Sequence, residues 1–196
     1  MKKLVLASRN RHKIDELRTF LKDLPFDVLA LEDLPNVPVL VEDGATFQEN
    51  ALKKAKTIHE HSKLLTLADD SGLEVFYRNG RPGVRSARYA GDGATDEQNN
   101  EKLLKEMRGV PPRRRYAQFR AVLALVGDGI EDLAEGVCPG TLAESPRGTN
   151  GFGYDPIFVP DGFVKTYAEL TAEDKNRISH RSRAFAEMRK ILGTRS

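Results

Sequence analysis

The 196-residue sequence has no tryptophan, three methionines and one cysteine, and aromatic residues make up only 7% of it. A lone cysteine, Cys138, excludes an internal disulfide framework and fits a reducing compartment. No apolar run approaches the roughly 20 residues that span a bilayer, so no membrane partner is expected. The opening MKKLVLASRN holds too short an apolar stretch for a signal-peptide core, and the expected location is cytoplasmic. An excess of one charge is also missing. Lys and Arg number 31 against 29 Asp and Glu, a net +2, which argues against a general polyanion binder. There is no Cys/His spacing suited to zinc and no GxxxxGK phosphate loop.

What is present is an alternation of short apolar runs and amphipathic repeats, an α/β pattern in one domain spanning 1–196. KLVLA (3–7) predicts a buried strand. Ile14, Leu17, Leu21 and Leu24 then recur at helical spacing, with Asn10 as N-cap. DVLAL (27–31) predicts a second strand, and NVPVLVEDG (36–44) an extended, turn-like segment. TFQE (46–49) and TDEQ (95–98) have the capping-box form. The first opens a helix to about His61, and the second a helix through Leu103, Leu104 and Met107. TLADD and LEVF predict two strands around a Ser71-Gly72 turn. Residues 116–137 predict a long hairpin turning near Gly127-Asp128-Gly129, which PGTLAES (139–145) extends. RGTNGFGYDPIFVP (147–160) is a glycine-rich loop entering a strand. A last helix follows ISHRSRAF, with Phe185, Met188 and Leu192 on its core side.

Several residues sit oddly in these elements. Lys13 lies in the first turn of its helix, where a cation opposes the dipole. Either it is solvated beside an ordinary cap, or it joins Ser8, Asn10 and the free amides in holding a phosphate. Asp69 and Asp70 are adjacent carboxylates at the end of an apolar run. Strand alternation sends them to opposite faces. Asp70 shares its face with Thr66 and Ala68 and has room for a ligand. Asp69 is in register with leucines and is expected to brace the turn through backbone amides or a basic side chain. A solvated turn fits as well. Lys54 falls on the apolar stripe of Phe47, Ala51, Ala55 and Ile58, and either points inward or snorkels to solvent. Glu42, just before that helix, can join Asp70 in an all-oxygen Mg²⁺ site completed by substrate phosphates and water, or belong to a solvated turn. Phe152, between two glycines, either stacks on a planar base or plugs a tight turn. His180 and Arg181 open the last helix against its dipole, with Lys175 nearby. The basic run PPRRRYAQFR (111–120) reads as a charged loop and an alternating strand rather than a nucleic-acid surface. Together these features suit a metal-bound nucleoside triphosphate.

SRNRHK, VEDGATFQENALKKA, ADDSGLEV, PGVRSARYAG, GFGYDPIF and KNRISHRSRAF also resemble, in order, the signature blocks of the inosine triphosphate pyrophosphatases, nucleotidases for non-standard purine triphosphates. The resemblance runs from about residue 3 to 192. Two departures are Asn150, where the family usually has glycine, and Ser-Arg-Asn in place of the more frequent Thr-Gly-Asn. The resemblance implies a long mixed central sheet flanked by helices, two lobes with a cleft between them, and a homodimer. It implies Mg²⁺-dependent hydrolysis of ITP, dITP and XTP to the monophosphate and pyrophosphate. By matched position, Asp70 is the proton acceptor and a metal residue, and Glu42 assists the metal. Ser8, Arg9, Asn10, Arg11, His12, Lys13 and Lys54 hold phosphates, with Lys54 counted as catalytic. Ser71, Phe152, Gly153, Tyr154, Asp155, Lys175, His180 and Arg181 hold the nucleotide. A pyrophosphatase for modified pyrimidine nucleotides and a non-catalytic nucleotide sensor are the alternatives.

Overall fold

The structure, a computed structural model, describes residues 1–194. Among the described residues a mixed sheet has seven strands and helices flank it. The elements are β1 (Lys2–Leu6), α1 (Arg11–Leu21), β2 (Phe26–Ala30), α2 (Phe47–Ser62), β3 (Leu65–Val75), β4 (Arg81–Pro82), α3 (Asp96–Glu106), β5 (Tyr116–Gly127), β6 (Ile130–Leu142), β7 (Phe158–Pro160), α4 (Ala172–Ile178) and α5 (His180–Gly193). The strand order is β2-β1-β3-β5-β6-β7, and β4 pairs with β3. β1 runs parallel to both β2 and β3, with Leu4 opposite Val28 and Leu65. Leu4, Val5 and Leu6 are fully buried, as expected of a central parallel strand covered on both faces.

The chain divides into two compact units. The first holds residues 1–70, 121–136 and 181–196; the second holds 71–120 and 137–180. The core of the first unit joins Leu4 and Leu6 of β1, Ile14, Leu17 and Leu21 of α1, Leu123 and Leu125 of β5, and Phe185, Met188 and Leu192 of α5. The core of the second joins Leu73, Leu103, Met107, Phe119, Ile157, Phe158 and Tyr167.

Capping follows the sequence closely. Asn10 accepts from the Lys13 amide at 3.2 Å, and Thr95 and Gln98 close a complete capping box. At α2 Thr46 accepts from the Glu49 amide at 3.1 Å, but the Glu49 carboxylate takes the amide of Ala45, at 2.7 Å, instead of that of Thr46. The short helix α4 has no counterpart among the elements expected from the sequence. Its signal is Thr171, whose hydroxyl accepts from the Asp174 amide at 3.1 Å.

The predicted turn at Ser71-Gly72 is a correction. β3 passes through it as one 11-residue strand. Gly72 is there for close approach, since a Cβ would lie 2.5 Å from the Gly83 carbonyl and closer still to the Ser86 hydroxyl. That hydroxyl accepts from the Leu73 amide at 2.9 Å and donates to Gly83 at 2.7 Å. Gly72→Ala should therefore destabilise the protein by about 2 kcal/mol through overpacking, read as a lower urea midpoint with an unchanged m-value. An unaltered midpoint would mean that the site is open.

Candidate active site

Asp69, at the middle of β3, is 1% exposed. Burying a carboxylate is unfavourable unless cations and hydrogen bonds replace its water. Lys13 of α1 approaches one of its oxygens at 2.5 Å, and the Arg181 Nε of α5 donates to the other at 3.1 Å. Arg181 also pairs with Glu16, one turn beyond Lys13 on α1. Burial raises the Asp69 pKa, but Lys13 and Arg181 outweigh it and hold the carboxyl well below the usual range. Arg181 is itself buried, yet Asp69 and Glu16 keep it charged. Asp69, expected to brace a turn through backbone amides or a basic side chain, instead lies within a continuous strand and is held by two basic side chains. The two cations are recruited from helix starts whose dipoles they oppose.

Asp70 points elsewhere, as strand alternation requires. Asn50 of α2 donates to its Oδ2 at 3.2 Å, while the Asn50 Oδ1 accepts from the Gly44 amide at 2.8 Å. Lys54, one turn later, is 5% exposed and faces inward. Its ammonium donates to Glu42 Oε1 at 2.5 Å, the Asp69 carbonyl at 2.8 Å and Asp70 Oδ1 at 3.1 Å. Burial disfavours the charge on Lys54, but Asp70 and Glu42 together raise its pKa above the ordinary value. Burial moves the Asp70 pKa up. Lys54 and Lys13 oppose this only in part, and Glu42, a like charge, pushes Asp70 up further. Adjacent carboxylates are therefore biased in opposite directions. Glu42 and Asp70 flank one ammonium with oxygen donors alone; among the described residues no group of three or more His, Cys, Asp or Glu side chains gathers as a metal site. Ser8, Arg9, Asn10, Arg11 and His12 lie at the start of α1, where Ser8 Oγ accepts from the Asn10 amide at 3.2 Å.

The second unit gathers the remaining expected residues. Asp155 is buried and accepts from the Phe152 amide at 2.9 Å and from Lys175 of α4 at 2.6 Å. Gly151 has φ +76, and a Cβ there would strike the Asp155 carboxylate. The Lys175 ammonium lies 4.8 Å from the centre of the Phe152 ring and 5.6 Å from that of Tyr167, a cation–π arrangement. His180 stacks on Phe119 at 4.6 Å and 10°. The Tyr154 hydroxyl donates to the Ser86 carbonyl at 2.9 Å. Asn150, at the familial glycine position, ties the loop down. Its amide donates to Ala168 at 3.0 Å and its side chain to Leu170 at 2.9 Å. Ser71 follows Asp70 in β3.

Some partners were not foreseen. Glu16 could have been found as an acid three residues after Lys13, while Phe119 and Tyr167 carry no local signal. Within the basic run 111–120, Arg114 stacks over Tyr77 at 4.7 Å, and Arg120 pairs with Glu74 at 3.1 Å. Arg115 donates to the carbonyls of Leu142, Met107 and Ala143 at 2.8–2.9 Å.

The Ham1 family model matches residues 4–191. A dITP/XTP pyrophosphatase of Geobacter sulfurreducens is 49% identical over 194 residues, covering 98% of each chain. The solved Ham1 protein of Staphylococcus aureus superposes with a TM-score of 0.90 at 38% identity, covering 100% of both chains. A HAM1 protein from Coxiella burnetii gives 0.91 at 40% identity, covering 99% of this chain and 100% of that one.

Removing the Asp69 charge leaves two buried cations without their shared counter-charge. Asp69→Asn should lose about 3–5 kcal/mol at pH 7 in urea denaturation. Because folding lowers the Asp69 pKa, its stabilisation is present above the unfolded-state value, about 3.9, and fades as pH falls toward the folded-state value. The gap between wild type and variant should accordingly shrink in acid. A gap that holds constant down to low pH would rule out the ionised carboxylate as its source.

Proposed function

Because this chain belongs to the Ham1 family, we infer that it hydrolyses the non-standard purine nucleoside triphosphates ITP, dITP and XTP to the monophosphate and pyrophosphate. It thereby removes them from the nucleotide pool. Within the molecule, the observation that carries this reading is Lys54, a buried ammonium held between Glu42 and Asp70. A lysine on an otherwise apolar helix stripe is costly to bury, and phosphate chemistry uses such a charge.

The residues present fit Mg²⁺, which takes oxygen donors and keeps part of its shell for water and phosphate. Glu42 and Asp70 would hold it, and the ion would supply Lewis-acid neutralisation of phosphate charge. Asp70 accepts the proton of the water that attacks the α-phosphorus, and the bond to the departing pyrophosphate breaks. Lys54 and Lys13 counter the charge on the phosphates, joined by Ser8, Arg9, Asn10, Arg11 and His12 with the amides at the start of α1. Phe152, Gly153, Tyr154 and Asp155, with Ser71, Lys175 and His180, take the nucleoside. Arg181, expected to hold the nucleotide, is buried against Asp69 and Glu16 and acts instead by positioning, through Asp69. A donor facing the 6-oxo group selects hypoxanthine and xanthine over adenine, whose 6-amino group would leave that donor unpaired. No described helix is long and apolar enough to cross a membrane. A cytoplasmic homodimer that binds no nucleic acid completes the proposal.

Pyrophosphate release from ITP, dITP, XTP, GTP, ATP and dTTP tests this, with Mg²⁺ or EDTA, for wild type and Asp70→Asn. The expected result is Mg²⁺-dependent turnover of the non-standard purines and a loss of about 100-fold or more in kcat for the variant. Activity should fall in acid as Asp70 gains its proton and ceases to accept one from water. Binding of ITP without release would establish a sensor instead. A preference for dTTP would overturn the base assignment.

A further inference from the structure

α3 carries buried polar residues that a core-packing helix does not need. Asn99 and Asn100 are 2% and 5% exposed, poor helix formers in the interior of the element. Their amides are used outside the helix. Asn99 accepts from the Ala90 amide at 2.7 Å and donates to the Ala87 carbonyl at 3.3 Å. Asn100 donates to the Gly153 carbonyl at 2.9 Å. One turn earlier, Asp96 accepts from the Gly153 amide at 2.6 Å. Both backbone groups of Gly153 are thus held by two side chains at i and i+4 on one helix face. Gly153 has φ +62 and lies directly after Phe152, and no strand or helix of its own fixes it. On its other side, Asp155 accepts from the Phe152 amide. The aromatic residue is therefore flanked by two side-chain clamps, one made by its own loop and one by α3.

We propose that Asp96 and Asn100 are positioning residues for base recognition: by clamping Gly153 they pre-set the Phe152 loop for the purine. The proposal rests on the assignment of Phe152 to the base. Neither residue needs to touch the reacting phosphorus. A loop ordered before binding contributes no ordering penalty at binding. Removing a clamp returns that penalty to the binding step, so KM rises while kcat stays, because the phosphate-handling groups belong to other elements.

Steady-state kinetics with ITP and ATP, paired with hydrogen exchange of the 151–155 segment, test this in Asp96→Ala, Asp96→Asn and Asn100→Ala. Each alanine variant should raise KM for ITP about 3- to 10-fold, the worth of one hydrogen bond, with kcat within about twofold. Exchange around Gly153 should accelerate, and discrimination against ATP should weaken. Asp96→Asn keeps an acceptor and should behave like wild type, which separates the clamp from the charge of Asp96 at the helix start. Equal falls in kcat and kcat/KM would overturn the proposal, as would faster exchange with unchanged KM or an Asp96→Asn variant as impaired as Asp96→Ala. If Asn100→Ala does not fold, the two Asp96 variants, at the solvent-exposed start of α3, decide the matter. A wild type inert toward ITP overturns the functional reading and the proposal together, whereas unaltered exchange overturns the clamp alone.

Discussion

A buried negative charge at the middle of β3 constrains the first unit more than any other single group. Asp69 is tolerable in the interior only while Lys13 and Arg181 face it, and those side chains come from the first turns of α1 and α5. The carboxylate therefore fixes two helix starts against one strand. Glu16 closes the circuit by pairing with Arg181 from α1. Such a network contributes little net stability relative to a well-packed apolar alternative, but removing one member is severe. Its value lies in position: the amides at the start of α1 and the next residue of the strand, Asp70, are held in a fixed relation.

Alternation along a strand then places two neighbouring acids in different environments. Asp69 is surrounded by compensating cations and stays ionised. Asp70 shares one ammonium with Glu42 and is left partly uncompensated, so burial moves its pKa up. Environments that push two acids apart are the usual mark of divided roles in catalysis. Lys54 serves both sides of this division, taking the Asp69 carbonyl as well as the two carboxylates. Replacing it with a shorter or neutral residue would disturb the strand backbone together with the charge balance.

Periodicity made most elements legible. The stripe Phe47, Ala51, Ala55 and Ile58, the caps Asn10, Thr46 and Thr95, and the hairpin turn at Gly129 all occur where local rules place them. The Ser71-Gly72 step misled because a glycine in a strand reads as a turn when its neighbour is unknown. Its reason is tertiary, the approach of Ser86 and Gly83 from another segment. The site was legible in residue type but not in partner. Lys13 and Arg181 could be seen as misplaced cations, yet nothing local says that both serve Asp69, 56 and 112 residues away in sequence. α4 escaped because its seven residues are too few for periodicity to register.

The interleaving of the two units has a bearing on how the chain acquires its structure. The first core needs Leu4 and Leu6, then Ala121 and Leu123, then Phe185 and Leu192. A nascent chain that has made only the opening 70 residues lacks both the strand and the helix that cover them. The apolar surfaces of β1 and α1 must wait until α5, which begins only at His180, has been made. Contacts this distant make folding slow and leave apolar surface open to association in the meantime. The charged residues on the outer face of α1, Asp15, Arg18 and Lys22, keep that early helix in solution until its cover arrives.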